Sequence, residues 1–105
     1  MTKIKYKQLK NSFQIVADGH AGYAAYGSDI VCASVSILLQ TLMARLDDVC
    51  DKCTIDVLDG HVEIYAEGGM ESFRTILTGL QMIAEEYPSH VSIEGCPIIS
   101  QSEMK

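Results

Sequence analysis

Basic residues are scarce in this chain once its first ten positions are passed. The 105 residues include eight Lys and Arg against fourteen Asp and Glu, a net charge of −6. Four basic residues stand within the first ten, so residues 11–105 hold the other four and all fourteen acids, a net charge of −10. Such a surface repels phosphate backbones, and we expect no nucleic-acid partner. A basic protein would instead be attracted to it.

Long apolar runs are also lacking, although hydrophobic residues make up 48% of the chain. The N-terminus alternates charged with apolar residues and shows no signal-peptide core, so we expect no membrane association and a cytoplasmic location. The four cysteines are then expected to be reduced thiols. With 21% charged residues and no internal repeat or linker, the composition is that of one globular domain over residues 1–105.

A second cysteine pair is missing as well. Cys50 and Cys53 have the CxxC spacing, but one pair is half a zinc site, and neither Cys96 nor His61 stands at a supporting spacing. The pair also follows a predicted helix, whereas the thioredoxin-type motif precedes one. We therefore expect no metal and no cofactor, with a thiol or metal sensor built on this pair as the weaker alternative.

A first hairpin is predicted from apolar residues in alternate positions. Residues 2–9 and 12–18 each have the period of a half-buried strand. Pairing Ile4 with Ala17 matches the apolar faces of the two strands. The hairpin delivers the chain directly to His20.

A second hairpin is predicted over residues 54–66, because the Asp-Gly pair at 59–60 is a two-residue turn signal. This turn pairs Val57 with Val62 and Ile55 with Ile64, so that both strands turn their apolar residues toward the core. It also sets Asp56 opposite Glu63. That like-charge pair is destabilising unless a cation lies nearby. His61 flanks the turn and is expected to be exposed.

Two helices are predicted, each with one apolar face. The first runs from about 29 to 47 and the second from about 70 to 86, ended by Pro88, with a short strand near 91–93. The resulting order, ββαββαβ, predicts an α+β fold: a two-layer α/β sandwich with a mostly antiparallel sheet and both helices on one face. The predicted core stripe of the first helix is Val31, Val35, Leu38, Leu42 and Leu46.

The segment between the first hairpin and the first helix carries a histidine and a cysteine. Ser28 or Asp29 can cap the helix, and either cap places Cys32 in its first turn. Unpaired backbone N–H groups and the helix dipole favour a thiolate there, and these N–H groups, together with those of the glycine-containing loop before the helix, can also hold an oxyanion. His20, across a glycine-containing loop, can accept the thiol proton. The pattern indicates nucleophilic catalysis, against the alternative of a buried filler cysteine and a solvated histidine.

Two further polar residues fall near this pair. Ser36 lies one turn beyond Cys32 on the same flank of the helix, where it can bond within a site or to a helix carbonyl. Asp29 can orient His20, although its capping role explains it equally well.

The sequence of residues 19–36 also resembles a known family. Gly-His-Ala-x-Tyr-Ala at 19–24 and Gly-x-Asp-Ile-Val-Cys-Ala-x-Val-Ser at 27–36 resemble the signature of the ribosomal-processing cysteine proteases (Prp), and the segment at 79–88 is similar to that family too. The resemblance implies a homodimeric cysteine endopeptidase of ribosome biogenesis. It would remove the N-terminal extension of a bacterial large-subunit ribosomal protein. His20 then matches the catalytic histidine and Cys32 the nucleophile, and the further motif positions matched are Gly19, Asp29 and Ser36.

The loop between the two motifs is the predicted substrate loop. The resemblance implies cleavage of an apolar extension after an aromatic residue, for which Tyr23 and Tyr26 are candidate walls. Gly22 and Gly27 make the loop permissive, and its alanines offer little to bury, so we expect it to order over bound peptide. The alternative function is a non-enzymatic acidic module that escorts a basic ribosomal protein.

Overall fold

The computed structural model describes residues 1–25 and 29–96, and it has the predicted order of strands and helices. The elements are β1 (Thr2–Gln8), β2 (Ser12–Asp18), α1 (Ile30–Val49), β3 (Cys50–Leu58), β4 (His61–Gly68), α2 (Met70–Glu86) and β5 (Val91–Cys96). Both predicted helices lie within two residues of their expected bounds. The last strand extends to Cys96, further than expected.

The five strands form one mixed sheet in the order β3-β4-β2-β1-β5. All neighbours are antiparallel except β1 and β5, which run parallel. The predicted register of the first hairpin is confirmed, with Ile4 opposite Ala17 and Lys3 opposite Asp18. Because β2 also pairs with β4, the end of β2 lies beside the turn of the second hairpin.

The two helices pack together on one face of this sheet and enclose the core. Phe13 of β2 stacks on Phe73 of α2 with ring centroids 4.3 Å apart, a contact that adds about 0.5–1.5 kcal/mol to the burial of the two rings. The largest fully buried side chains are Phe13, Phe73, Ile4, Ile15, Leu42, Leu46, Ile64, Leu80, Val31 and Val91. The α+β sandwich expected from the sequence is therefore present.

Helix α1 is apolar enough, by length and composition, to cross a membrane, with a mean hydropathy of 1.5 over its best window. The core helix of a soluble protein has the same composition, and α1 buries one stripe against the sheet. The buried residues are Val31, Val35, Leu39, Leu42 and Leu46. Leu39 replaces the predicted Leu38, which is half-buried, because a 3.6-residue period brings residues 35, 39 and 42 onto one line.

The second hairpin departs from its predicted burial. Its register is confirmed, with Val57 opposite Val62 and Ile55 opposite Ile64. Yet Ile55 is 39% exposed and Val57 57% exposed. The reason is that β3 is an edge strand. Its first half, with Cys50 and Cys53, packs on the core beside α1, and its second half is left uncovered.

We expect Leu80→Ala to lower the free energy of unfolding by about 2–5 kcal/mol, since it opens a cavity under α2. Leu80 has no exposed surface, whereas Met82, two residues on, is 64% exposed. Met82→Ala is therefore the matched control, with an expected change within about 0.5 kcal/mol. Chemical denaturation of both variants measures the difference, and equal losses would contradict the assigned core.

Candidate active site

The start of α1 is fixed by the side chain of Asp29. One carboxylate oxygen accepts the backbone N–H of Cys32 at 2.9 Å, and the other accepts those of Tyr23 at 2.9 Å and Ala24 at 3.4 Å. Partial desolvation acts to raise the pKa of Asp29, but these backbone hydrogen bonds outweigh it and lower the pKa. Asp29 is thus the N-cap, and Cys32 is the third residue of the first turn.

Cys32 is half-buried at the edge of the core, on the flank of the α1 stripe. Its backbone N–H is bonded to the Asp29 side chain, and the next N–H along, that of Ala33, is bonded to the Asp29 carbonyl. The sequence-based expectation that first-turn N–H groups hold an oxyanion is therefore wrong for these two donors. The Asp29 carboxylate already occupies the first of them.

His20 is the second residue after β2 and is 53% exposed at its side chain. The preceding Gly19 has φ +90° and lies so close to Met1 that a Cβ there would be 2.5 Å from the Met1 carbonyl oxygen. On the other side, the Gly19 N–H donates to the Gly60 carbonyl at 2.8 Å. The backbone leading to His20 is thereby held between the chain start and the β3–β4 turn.

Two cavities meet at these side chains. His20, Cys32 and Ser36 line both of them. The first, of about 220 Å³, runs between α1 and the β3–β4 turn and has an apolar part made by Leu39, Met43, Val57, Leu58 and Val62. The second, of about 440 Å³, opens toward the loop and includes Gly22, Ala24, Asp29 and Ala33. An extended peptide crossing the thiol would thus find room on either side of it.

Ser36 lies one turn beyond Cys32, as the sequence predicted. Its Oγ accepts a hydrogen bond from Gln40 Nε2 at 2.8 Å. The hydroxyl is therefore held by the next turn of the helix while its side chain borders both cavities.

The first half of the predicted substrate loop is packed down. Ala21 is buried in the core, and its carbonyl oxygen lies 3.1 Å from His90 Nδ1. Tyr23 packs edge-on against Tyr87 and His90, with centroids 5.4 Å away in both cases, and it lines neither cavity. The expectation that the loop alanines bury little is wrong for Ala21.

The remaining loop residues were expected to border the substrate. Gly22 does line the larger cavity, with φ +71°. Tyr26 and Gly27 lie outside the described residues.

Sequence reasoning missed two residues beside His20. Asp59 places a carboxylate oxygen 3.9 Å from His20 Nε2, although the sequence indicated only its role in the turn. His61, expected to be exposed, is 28% exposed at its side chain and bonds through Nδ1 to Asp18. Its Nε2 is 3.7 Å from Glu63, so a protonated His61 supplies the cation that the Asp56–Glu63 pair needs.

The CxxC pair lies away from this site, at the start of β3. A bulge between Cys50 and Lys52 lets Cys50 pair with Gly68 and Cys53 with Ala66, so both cysteines share the core face. Burial and the neighbouring Cys53 raise the pKa of Cys50. Within residues 1–25 and 29–96, no three His, Cys, Asp or Glu side chains are grouped as a metal ion would need.

Comparisons with known proteins identify the family of this chain. The family described as cysteine protease Prp matches residues 1–92. The ribosomal processing cysteine protease Prp of Staphylococcus aureus is 31% identical over 87 residues, which cover 75% of this chain and 82% of that protein.

Solved structures agree in fold. The S. aureus protease Prp with a covalently linked product peptide superposes with a TM-score of 0.80 at 24% identity, over 91% of this chain and 100% of that one. SMU.848 from Streptococcus mutans gives a TM-score of 0.68 at 27% identity, over 90% and 93% of the two chains. With nearly its whole described length matched by that family, the chain belongs to the Prp cysteine proteases.

Proposed function

We propose that the Cys32 thiolate attacks the scissile carbonyl of a peptide, with His20 as general base and then as general acid for the leaving amine. The observation that carries this is that both side chains border the same two cavities. Because Asp29 binds the N–H of Cys32 and the Gly60 carbonyl binds that of Gly19, we assign oxyanion stabilisation to N–H groups of residues 20–22 instead. Asp29 then acts by fixing the thiol and the loop together, and Ser36 and Gly19 support the site.

The proposed substrate is the precursor of a basic bacterial large-subunit ribosomal protein, from which the enzyme removes an N-terminal extension. The S. aureus relative is a ribosomal processing protease, and residues 11–105 of this chain carry the net negative charge that attracts a basic protein. The apolar part of the smaller cavity suits an aromatic residue on one side of the scissile bond.

The setting of this activity is proposed as well. We place the protein in the cytoplasm, where ribosomes are assembled, as a single domain over residues 1–105 without nucleic-acid or membrane partners. A homodimer is proposed from the family resemblance, and Ile55, which is exposed on the edge strand β3 and lines neither cavity, offers apolar surface for such an association. Sedimentation equilibrium should then give the mass of two chains.

A non-enzymatic escort for the same basic protein is not favoured, because such a module has no need of a thiol beside a histidine and the family is one of proteases. The experiment that follows distinguishes a protease from an escort, because only a protease cleaves the precursor.

Cys32→Ala should abolish cleavage of the precursor while leaving the fold intact, since Cys32 is only partly buried and the change removes one sulfur. Cys50→Ala is the matched control, because Cys50 is also a half-buried free thiol packed on the core but lies at the opposite end of α1. Intact-mass analysis of the precursor after incubation gives the readout. Undiminished turnover by a folded Cys32→Ala protein would refute the protease mechanism.

Cys32 should react with iodoacetamide faster than Cys50 or Cys53 near neutral pH. Cys32 lines both cavities together with His20, whereas burial and Cys53 raise the pKa of Cys50 and so suppress its thiolate. Peptide mapping of the labelled protein over time measures each thiol separately. Equal rates would mean that Cys32 is an ordinary thiol.

A further inference from the structure

Three consecutive contacts join the end of β2 to the β3–β4 turn, and we call them the turn junction (residues 18–20 against 59–61). His61 bonds to Asp18, the Gly19 N–H donates to the Gly60 carbonyl at 2.8 Å, and His20 Nε2 lies 3.9 Å from Asp59. The first contact is the last pair of the antiparallel β2–β4 ladder, and the other two continue that ladder beyond it. His20 is therefore the last of three consecutive residues that contact the second hairpin, and Asp18, which bonds to His61, is the first.

The turn reaches the imidazole of His20 itself. Gly60 has φ +69°, and a Cβ built on it would lie 3.2 Å from His20 Nε2. The backbone of the turn thus forms one wall against the imidazole. A shift of this turn would therefore change which positions the His20 ring can occupy.

The Asp18–His61 pair is set among charges that come from every neighbouring element. Asp18 faces His61 from β2, Glu63 from its own strand and Asp56 from β3. Lys3 of β1 stands opposite Asp18, and the turn contributes Asp59 beside His20. The surroundings of His61 are therefore mainly anionic.

This environment favours the imidazolium form. The hydrogen bond to Asp18 raises the pKa of His61, partial burial acts in the opposite direction, and the charges of Asp18, Glu63 and Asp56 raise it further. Because the folded-state pKa lies above the usual value of about 6.5, the contact is fully made below that pH. It weakens as the pH rises through the raised pKa.

We propose that His61 is a positioning residue for the reaction, which holds the β3–β4 turn against Gly19 through Asp18 and so keeps the His20 imidazole in place beside Cys32. The inference rests on the proposed function, in which His20 is the base. His61 also borders the smaller cavity but has no part in the bond-making steps.

The first test is independent of turnover. Ring resonances of His20, His61 and His90 and the Gly19 amide are followed by NMR as a function of pH. We expect His61 to titrate above the usual histidine value, with the His20 ring and the Gly19 amide shifting at the same inflection. In Asp18→Asn that inflection should move to lower pH. If the chemical shifts of the His20 ring did not change at the inflection of His61, the proposal would be overturned, even if the precursor were not cleaved.

The second test is kinetic. Asp18→Asn should lower kcat roughly tenfold with KM within about twofold, since small misplacements of a catalytic group cost up to ~10²-fold. Glu71→Gln is the matched control, because it also replaces a carboxylate in an ion pair, here with Arg74 at 2.7 Å, far from the site. That variant should keep the wild-type kcat. Equal losses in both variants, or a loss confined to KM, would contradict positioning.

The pH profile supplies the third readout. In the wild type kcat should fall as the pH rises through the raised pKa of His61, and His61→Arg, which stays charged, should keep its kcat across that range. His61→Leu should lower kcat without abolishing it. If His61→Leu were inactive and His20→Ala active, His61 would be the base itself, and both this proposal and the role of His20 would be wrong. If instead Cys32→Ala cleaved normally, only the proposed mechanism would fail, and the NMR titration would still decide the contact.

Discussion

The site depends first on one carboxylate, that of Asp29. It binds backbone N–H groups from two directions, Cys32 in the first turn of α1 and Tyr23 and Ala24 in the loop. The helix start and the loop are consequently one unit, and the position of the thiol follows that of the loop. The same carboxylate takes up the N–H of Cys32, a donor that would otherwise favour a thiolate or an oxyanion, and the proposed oxyanion donors are therefore in the loop backbone.

The other half of the site is positioned by the sheet. His20 follows the central strand β2 and is bordered by the β3–β4 turn, whereas Cys32 is carried by the helix layer. The two layers meet where β2 ends and α1 begins, and the two cavities lie at that seam. The buried stripe of α1, which begins at Val31 next to Cys32, packs the helix on the sheet and so limits how far strand and helix can move apart. Catalysis by such a pair depends on this geometry more than on any single contact.

Much of this arrangement follows from the sequence. The first hairpin could be predicted because a slip of one residue would turn Ile4 and Ala17 to solvent. The place of Cys32 in the first turn could be predicted because Asp29 is a strong cap. The exposure of Val57 could not, since alternation is the same in edge and central strands, and the sequence does not say which strand lies at the edge.

The contacts around His20 were missed for a related reason. Asp18 and His61 are 43 residues apart and meet only because β2 pairs with β4, an inter-hairpin pairing that local patterns do not specify. The fold of each hairpin is a local property, whereas the pairing between hairpins is a tertiary one. The sequence therefore pointed to Cys32 and His20 but not to the residues that contact His20.

The most direct test of the central claim is to trap the covalent intermediate. The precursor is mixed with the enzyme, quenched in acid within the first turnover and analysed by intact mass and peptide mapping. A transient adduct is expected in which Cys32 carries the N-terminal extension as a thioester, so that the enzyme gains the mass of the extension less one water, while the shortened protein leaves with a free amine. An adduct on another residue, or cleavage that proceeds with no adduct on Cys32, would contradict that claim.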